Sequence, residues 1–275
     1  MPTWKLTLEY DGTRYHGWQE QRNVRTVAGI VRAAAEKLVG NRVELGGAGR
    51  TDSGVHALAQ VAHLRAGQRL RDSMLSRGLN DLLPADINIL KAETAPANFD
   101  ARRDAIGRYY LYQISTRRTA FAKQYVWWIK DHLDIDRMRS TLESLQGRHN
   151  FAAFCEKRPD EKSWMVRVNN VEMGTDGDLI LIRIGASHFL WKMVRRVVGM
   201  LVEVGREQVS VDEFRGLLSP PSRGGKTTPQ PDRRREALDV AAHTAPPSGL
   251  FLERVVYTEK DKGPKPLIAA FPVGS

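Results

Sequence analysis

The chain has 275 residues, 41% of them hydrophobic, which is enough for one large domain or two smaller ones with a real core. Its net charge of +10 favours a polyanionic partner, with nucleic acid ahead of an anionic membrane. The single cysteine, Cys155, excludes an internal disulfide, and neither a signal peptide nor a bilayer-spanning apolar run is expected. These features predict a cytoplasmic protein.

The first half of the chain predicts alternating strands and helices. Apolar and polar residues alternate from Trp4 to Tyr10, which is typical of a half-buried strand. Thr26 is a good N-cap for an amphipathic helix that Gly40 ends. Three further elements are expected in this half: a strand over 43–45, a strand over 57–64 and a helix over 71–83.

The second half repeats this pattern with hairpins. It contains a strand over 107–115, a helix opening at Asp134, a hairpin with its tip at Asp176-Gly177, an apolar helix after Ser187, a capping box at Ser210 and Glu213, and a last strand over 249–257. The order predicts an α+β protein in which two related halves carry largely antiparallel sheets flanked by helices. We place the halves at 1–105 and 106–275, with a flexible, proline-rich insertion at 219–236.

The glycine-rich stretch GGAGRTDSGVHA, residues 46–57, does not fit a nucleotide-binding fingerprint. Asp52 stands where the third glycine of GxGxxG would open a helix. The GGKTT run at Gly224 lacks the first glycine of a phosphate-binding loop, and the histidines have no zinc-ligand spacing. The motifs therefore predict no cofactor and no metal.

Asp52 has two interpretations on local grounds. An Asp-Ser-Gly tripeptide is most often only a turn. However, Asp52 is an acidic group in a basic, glycine-rich stretch, and its charge would oppose RNA binding unless the carboxylate served the chemistry. Arg50 can orient that carboxylate or reach a phosphate, so Asp52 is also a candidate nucleophile or base.

Five stretches resemble the tRNA pseudouridine synthase A family in the right order. They are YDGTRYHGWQ at 10–19, GAGRTDSGVHA at 47–57, RYYLY at 108–112, HFLWKMVRRVVG at 188–199 and GLFL at 249–252. The resemblance implies two α+β halves meeting at a basic central cleft, a homodimer, and no cofactor or metal. It also implies conversion of uridine to pseudouridine at positions 38, 39 and 40 of the tRNA anticodon stem-loop.

The resemblance further assigns roles to individual residues. Asp52 matches the family nucleophile, and whether it attacks the sugar or the base stays open. Tyr110 would stack on the target uracil and help to remove its C5 proton, while Arg195 would pair with the carboxylate. A uridine inside a stem must be flipped out, and Arg50 is the candidate to enter the vacated space, beside Thr51 as a second substrate-binding residue.

The charged residues and the departures from the family pattern leave alternatives open. The clusters Arg65 to Arg77 and Arg102 to Arg108 are interpreted as phosphate contacts, the alternative being solvated surface. Gly199 is expected to allow a close approach to the helix of Arg195. The match is loose over 151–171, which leaves other tRNA positions or another structured RNA as targets. A non-catalytic RNA-binding protein is the alternative of a different class, and a DNA-binding regulator ranks last.

Overall fold

A computed structural model describes residues 1–156, 163–219, 238–263 and 265–273. The chain divides into two compact units: unit 1 comprises 1–110 and 247–265, and unit 2 comprises 111–246 and 266–275. Except for Ser219, the segment expected as a flexible insertion up to residue 236 lies outside the described residues.

Unit 1 is a largely antiparallel sheet with two helices. Its elements are β1 (Thr3–Tyr10), α1 (Val27–Val39), β2 (Glu44–Gly47), β3 (His56–Arg65), α2 (Asp72–Asn80), β4 (Ile87–Ala95), the first four residues of β5 (Gly107–Ser115) and β10 (Leu250–Val256). The strand order is β4-β1-β3-β10-β5, with β2 paired to β3. β10 runs parallel to β3, with Phe251 opposite His56, whereas β1 is antiparallel to both β3 and β4.

The sequence signals in unit 1 explain its elements. The alternating residues of β1 place Trp4, Leu6, Leu8 and Tyr10 in the core, as predicted. The Thr26 side chain accepts a hydrogen bond from the Gly29 N–H at the start of α1, and Gly40 ends the helix with φ +70°. α2 ends at Asn80, three residues before the predicted end at residue 83.

Unit 2 is also mainly antiparallel. It contains the rest of β5, β6 (Trp127–Trp128), α3 (Ile135–Glu143), β7 (Gly147–Asn150), β8 (Met165–Asp176), β9 (Leu179–Ala186), α4 (Met193–Gly205) and α5 (Val211–Gly216). The strand order is β5-β9-β8-β7, and β6 pairs parallel to β5. The α+β class and the largely antiparallel sheets predicted from the sequence are confirmed.

The principal helix of unit 2, α4, differs from its prediction at its first residue. It begins at Met193 rather than after Ser187, because Lys192 adopts a left-handed conformation with φ +61°. The apolar residues from Met193 to Leu201 are buried, so the predicted stripe does hold the helix in the core. Among the described residues, none of the helices combines the length and apolar character that a bilayer span needs.

The close approach expected at Gly199 is made by the chain itself. A Cβ atom at Gly199 would fall well inside van der Waals contact with the carbonyl oxygen of His243. Two residues on, the Ala245 N–H donates to the carbonyl of Arg195 at 3.0 Å. Backbone packing against this face of α4 therefore requires a residue without a side chain.

We expect Gly199→Ala to lower the free energy of unfolding by about 3 kcal/mol, because the new methyl group meets backbone that cannot rotate away. Gly205→Ala is the matched control in the same helix, since its methyl group would meet the flexible end of Met138, with Sδ at 2.6 Å. Denaturant unfolding of the two variants measures the difference. An equal cost at both positions would contradict a rigid contact at Gly199.

Candidate active site

Asp52 lies in a tight turn between β2 and β3 of unit 1. The Val55 N–H donates to the Asp52 carbonyl at 3.2 Å, and Gly54 completes the turn with φ +78°. The side chain of Asp52 is half-buried, whereas Arg50 and Ser53 are exposed. The turn predicted for Asp-Ser-Gly is present, and it holds the carboxylate at the surface of a folded core.

A second loop, residues 11–18, supports this turn through its backbone. Trp18 N–H donates to the Thr51 carbonyl at 3.1 Å, and Gly54 N–H donates to the Tyr15 carbonyl at 3.2 Å. A Cβ atom at Gly17, whose φ is +82°, would fall well inside contact with the Thr51 carbonyl oxygen. The motifs at 10–19 and 47–57 therefore form one structural unit, because Gly17 in the first motif lets its loop pack on the turn of the second.

Two buried tyrosines lie beside the turn. The Tyr10 hydroxyl is 2.8 Å from Thr51 Oγ1, and both groups are buried. Tyr110 on β5 is 8% exposed. Burial, followed by the charges of Tyr10 and Asp52, raises the pKa of Tyr110, which therefore remains a neutral phenol near pH 7. The structure thus brings Asp52, Thr51 and Tyr110 together, and it adds Tyr10, which the sequence suggested only as a strand residue.

A buried histidine, His56, links the 11–18 loop to the start of β3. His56 is 1% exposed, accepts a hydrogen bond from the Gly12 N–H at 3.1 Å and stacks on Phe251. Its Nδ1 also lies 3.1 Å from Asp11 Oδ1. Burial opposes ionisation of Asp11, but the adjacent His56 ring and the hydrogen bonds from the Thr13 hydroxyl and N–H outweigh it and lower the pKa of the carboxyl. His56, the first residue of β3, is thus a packing and positioning residue.

Arg108 has a structural role instead of the phosphate contact that the sequence suggested. It is buried, and Nη2 donates to the carbonyls of Ala48 at 2.8 Å and Arg102 at 2.7 Å. Nη1 donates to Ala105 at 3.1 Å. These bonds fix the strand end that carries Tyr110 to the segment that precedes the Asp52 turn.

Arg195 belongs to unit 2, where it is half-buried on α4. Its Nε donates to the Ala245 carbonyl at 2.7 Å. Nearby, the Tyr112 hydroxyl donates to the Pro246 carbonyl at 2.8 Å. Burial raises the pKa of Tyr112, against the opposing charge of Arg195. Within unit 2 the guanidinium therefore has a defined anchor, which limits the directions in which its remaining N–H groups can point.

Potential metal ligands do not converge in the part of the chain that the structure describes. Groups of three or more histidine, cysteine or carboxylate side chains with suitable geometry do not occur there.

The pattern at the turn matches a known family. A family model described as tRNA pseudouridine synthase matches residues 7–104 and 142–258, which include the Asp52 turn and the helix of Arg195. This chain belongs to the tRNA pseudouridine synthase family. The resemblance stated from the sequence is confirmed, and the protein is an isomerase that acts in tRNA pseudouridine formation.

Relatives named tRNA pseudouridine synthase A align over nearly their whole length. The protein from Rhodopseudomonas palustris strain BisB18 is 40% identical over 260 residues, which cover 94% of this chain and all of the relative. The protein from Geotalea uraniireducens strain Rf4 is 38% identical, with coverage of 92% and 98%. The protein from Brucella ovis is 37% identical, with coverage of 94% and 98%.

Solved structures give a more distant similarity. The crystal structure of the archaeal box H/ACA sRNP Nop10-Cbf5 complex aligns at 12% identity with a TM-score of 0.34. The alignment covers 72% of this chain and 43% of that chain. The family assignment rests on the family model and the sequence relatives.

We expect Thr51→Val to destabilise unit 1 by about 1–3 kcal/mol, because it leaves the buried Tyr10 hydroxyl without this partner. Thr51→Ser keeps the hydroxyl and is the matched control. Tyr10→Phe combined with Thr51→Val removes both groups, so the double variant should lose less than the two single losses added together. Strict additivity in urea unfolding would show that the pair is not coupled.

Proposed function

We propose that this chain isomerises uridine to pseudouridine at positions 38, 39 and 40 of the tRNA anticodon stem-loop, with Asp52 as the nucleophile. The observation that supports the assignment of Asp52 is its place in a glycine-rich turn near Tyr110. A half-buried carboxylate and a buried aromatic ring interact electrostatically at a glycine-rich turn.

The reaction needs few chemical groups, and it balances without a co-reactant. The Asp52 carboxylate forms a covalent bond to the nucleoside, and the N1–C1′ glycosidic bond breaks. The uracil rotates and C5 bonds to C1′, while the bond between Asp52 and the nucleoside breaks and returns its electron pair to the carboxylate. The C5 proton leaves to a base or to water, and N1, which kept the electron pair of the glycosidic bond, takes up a proton. The electrons of the broken C–N bond are returned in this sequence, so neither an oxidant nor a metal enters it.

Tyr110 supports the base-handling part of this proposal. Its ring can stack on an extruded uracil, as aromatic side chains do in RNA recognition. Because burial and the charge of Asp52 raise its pKa, the hydroxyl is protonated before the base arrives. We propose that it passes the C5 proton to solvent by accepting it as its own proton is donated onward.

Arg50 and Thr51, which the family resemblance assigns to substrate binding, are proposed to contribute in different ways. Arg50 is exposed at the edge of the turn, where a flipped-out uridine would leave a gap in the stem. Thr51 is buried against Tyr10, so its contribution is to hold the position of its neighbour Asp52 rather than to contact bulk RNA.

Three further assignments remain predictions from the family resemblance. Arg195 is proposed to supply the cation that keeps the Asp52 carboxylate ionised. The protein is proposed to act as a homodimer and to be cytoplasmic. Replacing Arg195 by Lys and by Ala, with turnover as the readout, tests the first of these.

Tritium release from a tRNA transcript labelled at uridine C5 tests the chemistry, since the label leaves only when C5 is bonded to C1′. We expect release by the wild type and none by Asp52→Ala or the isosteric Asp52→Asn, because both lack the carboxylate. Mapping the product then locates the modified positions, with transcripts in which uridines 38, 39 and 40 are replaced by cytidine as controls.

The outcomes separate the alternatives. Release from the triple-cytidine transcript would move the target to other positions and leave the chemistry standing. Release by Asp52→Asn would remove Asp52 as the nucleophile. Binding without release by the wild type would favour a non-catalytic RNA-binding protein.

We expect Tyr110→Phe to lower kcat about 100-fold, a loss of the size expected when a proton-transfer group is removed. KM should stay within about threefold of the wild-type value, because the ring is retained. Tyr112→Phe is the matched control two residues along β5, since that hydroxyl is bonded to the Pro246 carbonyl. A kcat for Tyr110→Phe equal to that of Tyr112→Phe would exclude the proton-transfer role and leave only stacking.

A further inference from the structure

Unit 1 contains an open pocket beside the Asp52 turn. Its volume is about 310 Å³, at the lower end of the roughly 300–1,000 Å³ of small-ligand sites. Six of the side chains that line it are Trp18, Arg50, His63, Asp100, Arg102 and Arg103. Arg50 directly precedes Thr51, so the pocket adjoins the catalytic turn.

Two glycines of β2 keep the pocket open. A Cβ atom at Gly46 would fall well inside contact with the His63 ring, and one at Gly47 would do the same with the Trp18 indole. A larger residue at either position would push a ring outward or fill the space. The pocket is therefore built by the same glycine-rich stretch that carries Asp52, and it is more than a gap between surface side chains.

The histidine in the pocket wall is neutral. His63 Nδ1 accepts a hydrogen bond from the Ala101 N–H at 3.0 Å, so the ring proton resides on Nε2. Burial, together with the charge of Arg65, lowers the pKa of His63. Glu44 Oε1 is 3.6 Å from Nε2, beyond hydrogen-bonding distance. His63 thus contributes a neutral imidazole to the wall.

The charge of the pocket is positive. Three arginines face one aspartate, which leaves a net charge of two. Asp100 is already occupied, because its carboxylate accepts from the Arg102 and Arg103 N–H groups, each at 2.9 Å, and from Arg103 Nε at 3.1 Å. Within the described ranges, neither Arg50 nor Arg102 forms an ion pair, and both are exposed.

Two exposed arginines from different segments line this pocket, and an exposed guanidinium beside a pocket fits a phosphate and the nucleoside attached to it. Guanidinium groups bind phosphate in a bidentate manner, which a lysine cannot reproduce. Arg50 and Asp52 are two residues apart, so their Cα atoms are separated by at most about 7 Å. A nucleotide bound here would be a close neighbour of the uridine that reacts at Asp52.

We infer that this pocket is a subsite for one nucleotide of the RNA substrate next to the target uridine, with Arg102 binding its phosphate and Arg50 lining the side of the pocket next to the Asp52 turn. The inference rests on the proposed function for the identity of the reacting uridine, but the binding can be tested separately from the chemistry. The role of this subsite is to fix the register of the RNA strand before the uridine is extruded.

The test is the binding of an unmodified tRNA transcript to Asp52→Asn protein over a series of salt concentrations. Adding Arg102→Gln should weaken binding about tenfold at the lowest salt and reduce the slope of log K against log salt by about one. Arg102→Lys keeps the charge and should lie between the two. Arg42→Gln is the matched control, an exposed arginine of unit 1 outside the pocket lining.

The variants are expected to fold, because the polar contacts of Arg102 described above use its backbone N–H and carbonyl. A slope change for Arg102→Gln no larger than that for Arg42→Gln would overturn the subsite. Should Arg102→Gln unfold, the intermediate affinity expected of Arg102→Lys carries the test, and wild-type affinity in that variant would overturn the subsite as well.

Turnover separates this inference from the proposed function. In the protein with Asp52 intact, Arg102→Gln should raise KM about tenfold and change kcat much less. Absence of tritium release by the wild type would defeat the proposed function while the slope change still supported an RNA subsite. An active wild type with an unchanged slope for Arg102→Gln would defeat only the subsite.

Discussion

The contact between two loop backbones governs the candidate active site. Gly12 and Gly17 lie so close to Val55 and Thr51 that a Cβ atom at either position would overlap a carbonyl oxygen. The hydrogen bond from Trp18 N–H to the Thr51 carbonyl depends on that approach. Because backbone groups have little freedom to move, this packing holds the Asp52 turn more rigidly than side-chain contacts would. The tyrosines and the histidine then fill the space beneath the turn.

Charge in this protein is divided between the core and the surface. Arg108 and Arg183 are both buried, and each satisfies its donors with carbonyl or carboxylate oxygens, including Ala48 for the first and Glu172 for the second. Buried arginines of this kind stabilise the fold and are not available to a polyanion. The number of arginines in the sequence therefore overstates how many of them can contact RNA. Arg50 and Arg102 are two of the exposed arginines.

Local sequence signals predicted the elements well where the local chemistry decides them. The N-cap at Thr26 and the capping box at Ser210 depend on neighbouring residues alone, and both are present. The predicted start of α4 was wrong because no sequence signal marks the left-handed conformation of Lys192. β4, β6 and β7 were missed: β6 and β7 are too short to carry a pattern of their own, and β4 is an edge strand in which polar residues interrupt the apolar alternation. At the site, motifs predicted roles for Asp52 and Tyr110, which stay predictions, whereas the contact of Tyr10 with Thr51 joins residues 41 positions apart and has no local signal.

The place of β10 in unit 1 has a consequence for how the protein folds as it is synthesised. β10 spans Leu250–Val256, yet it lies between β3 and β5, which are complete by residue 115. A nascent chain that has released the first 115 residues from the ribosome therefore has two strands whose shared neighbour does not yet exist. On this side of β3, β2 already pairs with residues 62–65, and β10 pairs only with His56 and Ala57. The start of β3 and the facing edge of β5 must therefore wait for well over a hundred further residues, a period in which exposed strands are prone to wrong pairing.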